Sequence, residues 1–179
     1  MKLNNIRRIT TPILGASAGL ICFCMAALAA VLPGQTDFSG VGFANNGGAI
    51  TCPAGLCPES DTSTCTNTGG SGKVSMLGTV VFSTILAVDN SETLGTCNQS
   101  FAQVLLIPTA SPREKLALDF IGTACPAGSE QLFYGGYLVN DQNSSGKYAT
   151  SSGSGTLSDG LGTGTTFVWS VNGTLVVTP

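Results

Sequence analysis

From residue 73 onward, short β-branched and aromatic runs alternate with clusters of Gly, Ser, Asn and Asp, the punctuation of consecutive antiparallel strands. The clearest register is Leu116-Ala-Leu-Asp-Phe120-Ile: Leu116, Leu118 and Phe120 point one way, Ala117 and Asp119 the other. Lys73 to Val88 reads as one long strand, or as two with a kink at Gly78, and Asp89-Asn-Ser-Glu as the turn after it. Ser100 to Ile107 follows, ended by Pro108, and Arg113-Glu-Lys makes a polar turn. Gln131 to Val139 is next, with Gly135-Gly136 marking a bulge or bend. Lys147 to Leu157 and Thr165 to Val177 complete the series. In the last, Phe167, Trp169 and Val171 share a face, and Asn172-Gly173 predicts a hairpin turn.

Upstream the pattern fades. Asp37 to Phe43 alternates as a first strand, but Asn45 to Gly72 is almost entirely Gly, Thr, Ser, Asn, Pro and Cys. No apolar period survives there, which predicts a long loop pinned by its cysteines. The chain therefore divides into residues 1–30, an irregular Cys/Gly/Ser/Thr-rich segment 31–72, and a β domain 73–179. Seven to nine short strands with tight turns predict an all-β fold. The leading architecture is an antiparallel barrel of about eight strands, calycin-like, since closure leaves no exposed edge; a β-sandwich is the alternative.

Composition agrees: 24 glycines among 179 residues and only 9% charged side chains disfavour helices. The formal net charge of −3 conceals an asymmetry, because Lys2, Arg7 and Arg8 lie within the first ten residues. Beyond them four basic residues face all ten acids, a difference of −6. So acidic a body has no footprint for a phosphate backbone, and nucleic acid is excluded as a partner.

The N-terminus reads as an address. A basic start is followed by an uncharged stretch from Ile13 to Leu32, most apolar at Leu20 to Met25, and then by Ala27-Leu28-Ala29. These are the three regions of a secretory signal forming a helix, with cleavage after Ala29 or Ala30. The alternative is an uncleaved anchor, in which residues 13–32 alone would contact the membrane. Cys22 and Cys24 follow Ile21 and Phe23, not the small residues that a lipid-modified cysteine needs. Export places the protein outside the cell or in a periplasm, where disulfides are the default for the remaining Cys52, Cys57, Cys65, Cys97 and Cys125. Cys97 precedes one strand and Cys125 follows the next, so they meet at one end of a hairpin. Cys52 is left to pair with Cys57 or Cys65, and one thiol is odd. Zinc on Cys52-x4-Cys57-x7-Cys65 is disfavoured by the spacing and by the lack of any histidine.

Gly122-Thr-x-Cys125, Tyr134-Gly-Gly-Tyr137, Gly146-Lys-Tyr148-Ala-Thr and Gly153-Ser-Gly-Thr156 resemble the last third of small secreted bacterial barrels of the allene-oxide-cyclase-like and dirigent-like group. The resemblance covers residues 73–177. Ser144-Ser145 stands where those proteins have Gly-Thr, and Tyr148 where Phe is common. It implies an eight-stranded barrel with a central cavity. None of the family's catalytic residues maps onto a matching position.

Without histidine, Ser-His-Asp and Cys-His catalysis are absent from the chain. Asp119 would be a buried acid if its face lined the interior; the other reading puts it in solvent. Tyr134, Tyr137, Tyr148 and Trp169 are the aromatic candidates for a ligand site, with a core role as the alternative. Asn98, Asn143 and Asn172 head glycosylation sequons, relevant only where the enzyme is present. No cofactor is implied. The expectation is a secreted, disulfide-stapled barrel that binds a small apolar ligand or associates with a surface. The alternatives are a self-associating subunit of an extracellular assembly and a cyclase or isomerase that folds an apolar substrate in the barrel.

Overall fold

The computed structural model describes residues 35–56, 63–128, 130–160 and 166–178; the expected signal helix and Cys57 lie outside them. Eight strands run in chain order: β1 (Gln35–Ile50), β2 (Ser63–Val74), β3 (Gly78–Leu94), β4 (Cys97–Pro108), β5 (Leu116–Ala127), β6 (Glu130–Val139), β7 (Ser152–Gly160) and β8 (Thr166–Val176). Each pairs antiparallel with its sequence neighbour, and β8 returns to β1, closing the barrel. Closure excludes the sandwich.

The expected loop over 45–72 is instead mostly strand. β1 runs on to Ile50, and Ser63 to Val74 forms β2, paired residue for residue with β3. The reason is the partner. Trp169 on β8 is fully buried, and Gly42 and Gly72, which face each other across β1 and β2, leave room for its ring. A Cβ on Gly42 would lie 2.6 Å from Trp169 Cε2, and one on Gly72 2.8 Å from Cη2. Small residues on these strands are thus the complement of a large one elsewhere, invisible to an apolar period read locally.

The same device explains two further departures. Asn172-Gly173 makes no hairpin but lies inside β8, opposite Thr156 and Gly155. Tyr137 reaches over that glycine pair: a Cβ on Gly173 would lie 2.6 Å from its hydroxyl, and one on Gly155 2.8 Å from Cε1. Gly135-Gly136 makes no bulge either, since the registers with β5 and β7 run through it unbroken. The irregularities fall instead between Asn46 and Gly48 and between Asp89 and Thr93, the latter inside the expected turn. Gly78 marks a real break: β2 ends at Val74 and β3 begins at Gly78, whose φ is 73°.

Inward-facing side chains fill the barrel. Phe82 stacks on Trp169 at 4.8 Å between ring centroids, and Phe38 meets Tyr137 edge-on at 6.1 Å. Leu116, Leu118 and Phe120 point inside, as their alternation requires, together with Val80, Val104 and Leu106. The end holding the β6–β7 connection is plugged. Residues 146–148 form a single 3₁₀ turn where continuous strand was expected, and it tucks Tyr148 into the core. Ser144 Oγ accepts the Ala117 amide at 2.9 Å, and Ser145 and Lys115 exchange backbone hydrogen bonds, tying the plug to the start of β5.

Tyr137 brings a buried hydroxyl that has no hydrogen-bond partner, and burial pushes its phenol pKa well above the ordinary value. A stranded polar group in a tight core is a cost rather than an anchor. Tyr137→Phe is therefore expected to raise stability by about 1 kcal/mol, read as a higher urea midpoint at unchanged m-value; a loss of stability would show that the hydroxyl is satisfied in solution.

Candidate functional site

The eight strands leave two different ends. Opposite the plug lie the finish of β1, β3, β5 and β7 and the start of β2, β4, β6 and β8. Two disulfides staple this rim on its outer side. Cys97–Cys125 joins β4 to β5, one step beyond the Asn98–Ala124 pair, with Cα atoms 4.2 Å apart. Cys52–Cys65 ties the chain after β1 to β2, with Cα atoms 5.1 Å apart, and so takes two of the three thiols of the metal reading.

Inside the rim is a cavity of about 290 Å³, walled by Leu86, Phe133 and Phe167 and by the polar side chains of Asn46, Thr66, Thr68, Glu130, Gln131 and Asp159. It is placed by strand alternation. On β7, Leu157 and Asp159 share the inward face, paired with Val171 and Trp169 on β8 and with Gly135 and Phe133 on β6. The floor is therefore the packed aromatic core, and Asp159 is the first polar group above it.

Asp159 is only 5% exposed, and its Oδ1 has no hydrogen-bond partner. Burial pushes its pKa up to about 6, partly offset by the Gly160 backbone N–H. Thr68, 6% exposed, has an equally unpartnered Oγ1, and a buried oxygen of Glu130, Oε2, is unsatisfied as well. Unpartnered buried polar atoms occur elsewhere in the barrel too, Tyr137 among them, but only here do two carboxylates and a hydroxyl of this kind line one cavity among the described residues.

The raised pKa has a consequence for stability. Asp159 holds its proton more tightly folded than unfolded, so the fold is penalised wherever the group is ionised. The penalty is absent below about pH 4, grows as pH rises towards 6 and is complete above it, at about 3 kcal/mol. Asp159→Asn is expected to be more stable than the parent at pH 7.5 by about 2–3 kcal/mol, with little difference at pH 4. Urea melts at the two pH values check this; equal gains at both would separate the effect from ionisation.

The residues singled out from sequence do not assemble into one site. Asp119 points outward, where Asn140 Nδ2 donates to its Oδ2 at 2.8 Å, because the inward set on β5 is Leu116, Leu118 and Phe120. The buried-acid reading of Asp119 is thereby overturned. Tyr134 is 58% exposed on the outer wall, paired with Thr123, away from the row of Asp119 and Leu138. Tyr137 and Tyr148 belong to the core and the plug. Asp119 instead borders a groove of about 570 Å³ on the outside of the barrel, between residues 53–56 and the wall formed by Ile85, Phe101 and Ile121. That groove is the larger depression, but the mouth is the one lined by Asp159, Thr68 and Glu130, each with an unpartnered buried oxygen. Asp159 was within reach of the sequence: in Thr156-Leu-Ser-Asp159 it has the parity of Leu157, and an inward leucine carries the aspartate in with it. Thr68 and Glu130 had no such signal.

Comparisons of the chain with protein-family models, with curated proteins and with solved structures yield no match.

Proposed function

We propose that this chain is an exported, non-catalytic binding protein that takes a small ligand in the cavity at the rim of its barrel opposite the plug. The observation that carries the proposal is that Asp159, Thr68 and Glu130, each with a buried oxygen lacking a hydrogen-bond partner, line one cavity. Export is supported by the basic–apolar–small pattern of residues 1–30 and by two disulfides, which suit an oxidising compartment. The polar lining favours a hydrogen-bonding ligand over the apolar one expected from the sequence. A cyclase that folds an apolar substrate centrally is disfavoured, since Trp169, Phe82, Phe38 and Phe120 occupy that space. Kinship with allene-oxide-cyclase-like and dirigent-like barrels belongs to this proposal; strand number and closure support it.

Native mass spectrometry of the exported protein tests the reading. The expected spectrum shows a chain beginning near residue 30, two disulfides and a small non-covalent passenger, lost in Thr68→Phe, where the ring fills the mouth. A passenger retained in that variant, or a parent protein that never carries one, contradicts it.

One observation favours a second role. Ile121, Tyr134 and Leu138 stand exposed together on the outer wall of β5 and β6, as a self-associating subunit of an extracellular assembly would require. Size-exclusion chromatography with and without reductant decides: a monomer under both conditions removes this role.

A further inference from the structure

We infer that the ligand of the mouth is a small organic ammonium ion, its charged nitrogen seated on the Asp159 carboxylate and its carbon chain against Phe133 and Phe167. The inference rests on the mouth being the binding site and names the ligand class that the site selects.

Charge decides first. Among the described residues, the ionisable side chains lining the cavity, Asp159 and Glu130, are both acids, and no Lys or Arg stands with them. Phosphates, sulfates and carboxylates would meet only like charge there. The chain beyond the first ten residues, at −6 with these two acids included, adds a field of the same sign that draws cations in.

Hydrogen-bond inventory decides next. Ionised carboxylates accept and cannot donate, so Asp159 Oδ1 and Glu130 Oε2 both call for a donor. A neutral alcohol or sugar supplies a donor but leaves the Asp159 charge desolvated and uncompensated. An ammonium group supplies donors and the countercharge together, and charge-assisted bonds are about twice as strong as neutral ones. The walls agree, because Phe133, Phe167 and Leu86 give the carbon chain an apolar flank. At about 290 Å³ the cavity sits at the bottom of the usual range for ligand pockets, roughly 300–1,000 Å³. A ligand of a few carbons fits.

A pH signature follows. Asp159 must shed its proton to bind an ammonium ion, and the other titratable group at the cavity is Glu130 from β6. β1, β2, β3 and β8 contribute Asn46, Thr66, Thr68, Leu86 and Phe167, none of which titrates. With the Asp159 carboxyl half-ionised near pH 6, affinity should fall about tenfold between pH 7.5 and pH 5.

The experiment is isothermal titration of the exported protein with three probes of one size: n-butylammonium, 1-butanol and butyrate. The expected result is binding of n-butylammonium alone, about tenfold weaker at pH 5, with proton release visible there as a buffer-dependent enthalpy. Asp159→Asn should weaken n-butylammonium at least tenfold at pH 7.5 and abolish the pH dependence, while Glu130→Gln weakens it less. Binding of 1-butanol as tight as that of n-butylammonium, preference for butyrate, silence from all three, or unchanged affinity in Asp159→Asn overturns the inference. The mouth itself is judged separately by the passenger in the native mass spectrum and its loss in Thr68→Phe.

Discussion

Trp169→Ala is expected to lower stability by about 3–5 kcal/mol, the cost of truncating a fully buried large aromatic. The site cannot collapse to recover the loss. Gly42 and Gly72 beneath the ring have no side chains to move into the void, and Phe82, stacked at 4.8 Å, loses its partner. The indole N–H has no hydrogen-bond partner, so its removal breaks no bond and returns only about 1 kcal/mol of desolvation cost against the larger packing loss. Far-UV circular dichroism during urea unfolding measures the effect without relying on the deleted fluorophore. A loss below about 1 kcal/mol would mean that the ring is not the centre of the core. Gly72→Ala tests the same fit from the other side, since its Cβ would collide with Trp169 and with the Val41 carbonyl 2.5 Å away.

Removing the Cys97–Cys125 bridge, as Cys97→Ser with Cys125→Ser, is expected to cost about 3–4 kcal/mol by the loop-entropy relation, for a span of 28 residues. For a domain of this size that is a fall in Tm of roughly 10 °C. The bridge fastens β4 to β5 beyond their last paired residues at the rim opposite the plug, where the described residues hold no counterpart of the Tyr148 turn. Its loss should therefore loosen the mouth more than the core. Ligand affinity should fall in the double mutant at temperatures where the barrel is still folded. Hydrogen exchange measured strand by strand checks this, with faster exchange expected at residues 97–101 and 121–125; uniform exchange along β4 and β5 would show that the bridge acts only through the unfolded chain.

How far the sequence reveals this molecule depends on whether a side chain's partner is nearby in the chain. Leu116, Leu118 and Phe120 declare their strand and its inner face because alternation is a local property. Gly72, inside the expected loop, does not, because the reason for its smallness, Trp169, is about a hundred residues away and joins it only when β8 closes on β1. For the same reason Asn172-Gly173 imitates a hairpin turn while lying inside β8 under Tyr137. Tyr148 imitates a strand residue while plugging the barrel from a 3₁₀ turn. At the mouth, Asp159 was legible through its parity with Leu157. Asp119, on the strand with the clearest alternation, has the parity of the outer face, opposite to Leu116, Leu118 and Phe120, and stands outward. Thr68 and Glu130 join Asp159 only through β2 and β6, and nothing along the chain foretells that meeting.

The claim on which the rest depends is that Asp159 is a desolvated carboxylate waiting in the mouth for a partner. A carbon-13 NMR titration of its side-chain carboxyl, assigned by Asp159→Asn, measures this directly. The midpoint is expected at about 6 in the free protein, falling when n-butylammonium is present. A midpoint near the ordinary 3.8, unmoved by the amine, would mean that water already satisfies the group, and would contradict the account.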